Sequence, residues 1–243
     1  MIFNIAAGKS REKMPPLYTV ADGTSDYAQS VDENGIVNWE LALLSGTSAT
    51  LTFSRVVDFI DVFLVAGGKP GSGHPAGAGG TGGRGGGTAT KLSFAVTAGT
   101  PYTFTVGESN GNTTIFGEEA ASGDGANGGT GAVLSTAASA KVGGDGVYAF
   151  GEATSLLYSG QQYGAGGGGG SYYSGNFGKH GANGGATGGG HGAGRSPYNV
   201  TEAASGAANT GGGGGGGGGD ASYNKSYPAG SGGSGIIIIR NHR

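Results

Sequence analysis

Metal binding, nucleophilic attack and phosphate binding each need particular residues at particular spacings, and this sequence supplies few of them. Its four histidines, His74, His180, His191 and His242, stand in glycine-rich or terminal sequence without ligand spacing. There is no cysteine, so neither a disulfide framework nor a thiolate metal site is available. No serine occupies a Gly-x-Ser-x-Gly elbow between a strand and a helix. Gly143-Gly144-Asp145-Gly146 is similar to calcium-binding glycine–aspartate repeats but lacks their nonapeptide period. Ala6-Ala7-Gly8-Lys9-Ser10 matches the end of a phosphate-binding loop, yet the first glycine of that motif falls on Phe3. Asp58 and Asp61 read as a strand-edge pair rather than an acid and a base. The expectation is a protein without catalytic residues, metal or cofactor.

Binding chemistry is better supplied. Between glycine segments the chain places Tyr158, Tyr163, Tyr172, Tyr173, Phe177, Tyr198, Tyr223 and Tyr227, with His180, Asn176 and Asn183 among them. Rigid aromatics beside small, adaptable residues are the composition of binding loops, where tyrosine offers contact area at low entropy cost. Aromatic faces also suit sugars. The same rings could instead cap a glycine bundle and shield its edge amides, and both readings stand. Lys179, Arg195 and Lys225 could contact an acidic surface polymer, or be solvated loop charge.

These residues must be positioned by glycine. The chain holds 60 glycines, with unbroken runs at 166–170, 188–190 and 211–219. Glycine pays the largest backbone entropy and brings no side chain to pack, so such runs make neither a stable α-helix nor an ordinary strand. A flexible linker is one outcome. The ordered alternative is polyproline-II geometry, with three residues per turn and no bonds inside one helix. Several such helices can bond to one another when almost nothing projects between them. At a rise of about 3.1 Å the nine glycines of 211–219 would span roughly 28 Å.

Composition narrows the classes further. Glycine plus proline exceeds a quarter of the chain, but no strict Gly-X-Y period is present, which excludes collagen. Charged residues are 12 % and the net charge is -3, so neither charge-driven disorder nor a nucleic-acid footprint is indicated. No stretch approaches a membrane span, and the first residues lack a signal-peptide pattern. The expectation is synthesis in the cytoplasm.

Strand patterns flank the glycines. Residues 1–35 read as a polar attachment or connector segment. Residues 39–43 and 49–53 alternate around Ser45-Gly46 and read as a hairpin. Residues 58–65 are apolar on both faces, with Phe59, Asp61, Phe63 and Val65 on one and Ile60, Val62 and Leu64 on the other. A second unit alternates over 91–96 and 102–106 around a turn at 97–101 and reads as a hairpin, and 113–116, 132–134 and 147–150 are shorter candidates. The four isoleucines 236–239 would be an aggregation hazard if exposed, and 59–65 is their natural partner. A sheet joining the two would anchor both ends of the glycine region.

The order DVFLVAGG, KLSFAVTAGTPYTFTVG, NTTIFG, glycine runs and a final GSGIIIIR resembles the glycine-rich domains of phage and prophage tail-fibre and tail-tip proteins. The resemblance runs from Asn38 to Arg240. NWELALLSGTSATLTF is similar to that group as well. The tip adhesins of some T-even-like phages, and the anaplastic lymphoma kinase and leukocyte tyrosine kinase receptors, inform what it implies. That is an all-β fold: a small antiparallel β-sandwich of tumour-necrosis-factor-like layout with an inserted bundle of polyglycine-II helices. The sandwich would cover 36–117, carry a short glycine-rich insertion at 67–87 and be completed by strand 236–240. The bundle would cover 118–235.

The function implied is a receptor-binding adhesin of the virion, made without a signal peptide. Its loops would meet a polysaccharide or protein on the host surface, and its N-terminal segment would join other tail proteins. Trimers are expected by analogy with fibres, with no nucleic-acid partner and no membrane span. The alternative is a structural protein that polymerises into a fibre, sheath or matrix.

Overall fold

The computed structural model describes residues 17–33, 35–55, 57, 59–73, 78–129, 140–151, 158, 161–173, 181–185, 188–195, 200–220 and 225–241. Among them the chain is all-β, with one short 3-10 turn at Ala149–Gly151. Seven strands come first: β1 (Tyr18–Val31), β2 (Val37–Phe53), β3 (Phe59–Val65), β4 (Thr88–Ala95), β5 (Pro101–Phe104), β6 (Thr113–Ile115) and β7 (Glu118–Ala120). Short strands then interrupt the glycine region: β8 (Val147–Tyr148), β9 (Gln162–Tyr163), β10 (Tyr172–Tyr173), β11 (Gly194–Arg195), β12 (Val200–Thr201), β13 (Gly218–Asp220) and β14 (Lys225–Tyr227). β15 (Ile236–Asn241) follows.

The main sheet is antiparallel and runs β1-β2-β15-β3-β4, with β5 on the second half of β2. The isoleucine strand therefore lies at the centre. It pairs with β3 from Ile236↔Val65 to Asn241↔Ile60, as the two apolar patterns predict, and with β2 from Ile237↔Leu43 to Arg240↔Glu40. Both faces are buried. Ile237 and Ile239 join Ile60, Val62, Leu64, Trp39, Leu41 and Phe104 in one core. Ile236 and Ile238 join Phe63, Val65, Ala42 and Tyr163 in a second. All four isoleucines are fully buried, which favours the fold by roughly 1.5–3 kcal/mol each, taken as an upper bound.

Four local expectations are corrected. Within the connector 1–35, residues 18–31 form the outer strand β1, paired to β2 throughout. An outer strand with one solvated face needs no apolar run, so its polar sequence hid it. Ser45-Gly46 is not a hairpin turn, because β2 continues through it. Gly46 faces Gly23 of β1, next to register shifts on that strand, and a Cβ on either glycine would meet Ala49 and the Phe104 ring. The strands bend there, and β2 passes from pairing with β15 to pairing with β5. Residues 91–106 are not a hairpin either, since β4 bonds to β3 and β5 to β2. Asp61 is no edge residue; it is buried between β15 and β4. Asp58 and 132–134 lie outside the described residues.

Side chains close the gap between β4 and the β6–β7 hairpin. Lys91 pairs with Glu118 at 2.6 Å, and Phe116 lies 4.5 Å from Phe94 and 4.9 Å from Tyr102, ring centre to ring centre. Phe116 and Gly117 both have positive φ, 53° and 78°. That is the two-residue hairpin turn in which asparagine is the usual first residue, and the ring contacts offset the strain of a phenylalanine there.

The glycine-rich residues form a second body against the sheet. Ten described segments lie side by side: 66–73, 79–87, 125–129, 141–146, 164–171, 181–185, 188–193, 204–207, 211–219 and 229–235. The early insertion 67–87 thus belongs to the same body as the later glycines. Donors recur every third residue. Ala66, Lys69 and Ser72 donate to the carbonyls of Gly87, Arg84 and Thr81, and Gly80, Gly83 and Gly86 donate to Gly217, Gly214 and Gly211.

Segment 211–219 bonds to six neighbours: 66–73, 79–87, 164–171, 188–193, 204–207 and 229–235. Segment 164–171 also has six, namely 79–87, 125–129, 141–146, 181–185, 188–193 and 211–219. The eight outer segments bond to one another in a closed ring. The arrangement is a hexagonal packing with two interior members, and these contain the two longest glycine runs. A Cβ at Gly214 would come within 3.0 Å of the Gly230 carbonyl, and one at Gly167 within 3.0 Å of that of Gly214. Outer segments carry side chains on their free side. Thr81 and Arg84 are exposed, as is Ser231, while the glycines between them are buried or half-buried.

Candidate functional site at the end of the glycine body

One end of the glycine body meets the sheet. Gly67 donates to Gly111, Gly235 donates to Gly107, and Gly211 abuts Val65 and Ala66. At the other end the segments finish in short strands. β10 pairs in parallel with β13, β13 pairs with β14, and β11 pairs with β12. The flanks of three connections, 173 and 181, 195 and 200, and 220 and 225, all lie at this end.

The candidate aromatic residues divide accordingly. Tyr172, Tyr173 and Tyr227 are in the terminal strands, and Tyr227 is half-buried. Phe177, His180, Tyr198 and Tyr223 lie outside the described residues, in connections whose flanks are at the same end. Tyr158 and Tyr163 are at the opposite end, on the sheet. Tyr163 is fully buried, with its ring 5.7 Å from Phe63; its hydroxyl donates to the Tyr158 carbonyl at 2.6 Å. Its place in the second core is a correction, since a buried ring presents no surface to a receptor. Tyr158 is half-buried, and its hydroxyl donates to Asp26 at 2.7 Å.

Among the described residues, three amides on the body's edges are capped by hydroxyls. Ser72 Oγ accepts from the Thr81 amide at 2.8 Å, Ser205 Oγ from Ser231 at 3.2 Å and Ser234 Oγ from Asn209 at 3.0 Å.

A charged row went unread in the sequence. Glu40, Arg240 and Asp61 are cross-strand neighbours on β2, β15 and β3, and all three are buried. Arg240 pairs with Asp61 at 3.5 Å and stands 3.9 Å over the Phe150 ring, a cation–π contact. Asp61 also accepts from the Ser93 amide, and Glu40 from the Tyr158 amide. The only sequence signal was a single arginine ending an isoleucine run.

The Tyr158–Asp26 bond gives a pH prediction. Burial, and then the Asp26 bond, push the Tyr158 phenol up to about 12. The same bond holds the Asp26 carboxyl below its usual value. A raised phenol contributes stability that is complete below its unfolded value near 10 and is lost as pH rises through about 12. The depressed Asp26 contributes above its ordinary value, and that contribution is lost as pH falls through the lower folded one. Tyr158→Phe is expected to flatten the alkaline arm of the stability profile, measured by urea unfolding across pH. An unchanged arm would show that the bond is not formed in solution.

A cavity of about 310 Å³ lies at the junction of the two bodies, lined in part by Thr88, Glu119, Asp124, Val147 and Tyr163. Among the described residues no cluster of three His, Cys, Asp or Glu could hold a metal, and no helix is long and apolar enough to cross a membrane. A family model described as glycine-rich domain matches residues 43–242. No curated protein matches the chain.

Proposed function

We propose, from the premise that this chain belongs to the glycine-rich domain family, that it is the receptor-binding protein at the tip of a phage or prophage tail. In this reading its ten segments are polyglycine-II helices, inserted in a small sandwich of tumour-necrosis-factor-like layout. Hydrogen bonding that repeats every third residue supports the first part, since three residues make one turn of that helix. Strands before and after the glycines in one sheet support the second. The protein acts in the virion as a homotrimer, joined to other tail proteins through its N-terminal segment.

The observation that carries the reading is the gathering, at one end of the glycine body, of the flanks of three connections whose sequences bear aromatic residues. That body is fixed by backbone bonds, so its connections can vary without repacking a core. They form a replaceable surface for a host polysaccharide or protein. The test is binding of the full chain to host cells. Tyr198→Ser with Tyr223→Ser is expected to weaken binding by about tenfold or more, as hot-spot tyrosines do. Tyr148→Ser, at an exposed position near the sheet, is expected to have no effect. Equal losses from both variants, or no binding by the parent protein, would refute the adhesin reading.

A further inference from the structure

We propose that the outer edge of β1 is a docking site for an extended, lysine- or arginine-bearing segment of another protein, which adds to the sheet as a further strand. The inference does not depend on the tail-tip reading.

β1 has 14 residues and ends the strand order. Among the described residues no strand pairs with its second edge. Exposed edges of this length are normally guarded by lysine, proline, bulges or shortness. β1 contains no lysine and no proline. Its register shifts lie between Ala21 and Gly23 and between Thr24 and Ser25. From Ser25↔Leu43 to Val31↔Val37 the pairing is continuous, so residues 25–31 hold a regular ladder. The Tyr27 amide is already taken by the Asp26 carboxylate at 2.7 Å; the outward amides and carbonyls that remain in the ladder are what an added strand bonds to.

Charge identifies the partner. Residues 17–55 contain five acids, Asp22, Asp26, Asp32, Glu33 and Glu40, against the single cation Arg55, whose charge acts on Tyr27 of β1. Glu40 is buried beside Arg240. The other four lie along β1 and the turn after it. A neutral strand would gain only the backbone bonds here, and an acidic one would be repelled. A cationic strand gains both terms.

The probe is a short peptide alternating valine with lysine, compared with the same peptide bearing glutamate for lysine. Each is added to the full-length protein, and binding is followed by hydrogen exchange. The lysine peptide is expected to slow exchange at the amides of 25–31 that point away from β2, and the glutamate peptide to leave them unchanged. Asp22→Asn with Glu33→Gln changes charge with little change of shape, and is expected to weaken lysine-peptide binding about tenfold while near-ultraviolet circular dichroism stays the same. Equal binding of the two peptides, protection elsewhere, or full affinity in the neutralised variant overturns the proposal. So does slow exchange, in the free protein, at those amides of 25–31 that point away from β2, which would mean that a second copy or another part of this chain occupies the edge.

Discussion

Gly214→Val is expected to destabilise the glycine body by more than about 4 kcal/mol, enough to unfold it. Three effects add. The new Cβ would lie within 3.0 Å of the Gly230 carbonyl, and overpacking alone costs about 1–3 kcal/mol in ordinary cores. Ordinary cores can shift a side chain, whereas here the obstruction is backbone tied to its own neighbours. Displacing segment 211–219 would also strain the bonds from Gly214 to Lys69 and from Gly83 to Gly214, each worth about 1 kcal/mol net. The control is Gly73→Ala, where the added carbon would meet nothing within 4 Å. That change is expected to stay within about 0.5 kcal/mol. Chemical denaturation measures both, and hydrogen exchange over 211–219 locates the loss. A Gly214→Val protein with parental stability would rule out the six-neighbour packing.

Arg240→Met should cost about 3–5 kcal/mol, because it leaves two buried carboxylates, Glu40 and Asp61, facing an apolar side chain. The Phe150 contact is lost as well, worth about 1 kcal/mol more. Adding Asp61→Asn should recover part of the deficit, since it removes one of the stranded charges. Thermal unfolding of the single and double variants checks this. If the double variant is less stable than Arg240→Met by the full cost of Asp61→Asn alone, then Arg240 and Asp61 do not interact. The row would then be three independent residues.

The sheet centre was legible because burial on both faces leaves a plain pattern. Residues 59–65 and 236–239 alternate without a polar side and have only each other as equals. The outer strand was not legible, since Tyr18–Val31 is polar on its solvated side and carries turn-like Asp22-Gly23 in mid-strand. Ser45-Gly46 misled in the same way: a glycine that lets two strands bend together has the same local signature as one that ends a strand.

Much more of the glycine body was written in the sequence than the runs alone suggest. Thr81-Gly-Gly-Arg84 and Ser231-Gly-Gly-Ser234 place a side chain at every third residue, the mark of a segment with one free side. Only members enclosed on every side need uninterrupted glycine. The candidate site was half legible. Aromatic residues between glycine runs mark the connections, but nothing local distinguishes Tyr163, which turns into the second core, from its neighbours in sequence. Its destination depends on Phe63 and Ile238, which are remote in the chain.

The central position of β15 has a kinetic consequence. Val65 and Ile236 are hydrogen-bonded neighbours separated by more than two thirds of the chain. Both cores stay open until that gap closes, and closing a long loop delays the contacts that would repay its entropy. The order of events follows: the segments between must be gathered before the isoleucines can seat. A chain caught short of that step exposes a ready-made aggregating strand. Refolding should therefore be slow and sensitive to concentration, and the hexagonal glycine packing would act as the scaffold that shortens the final search.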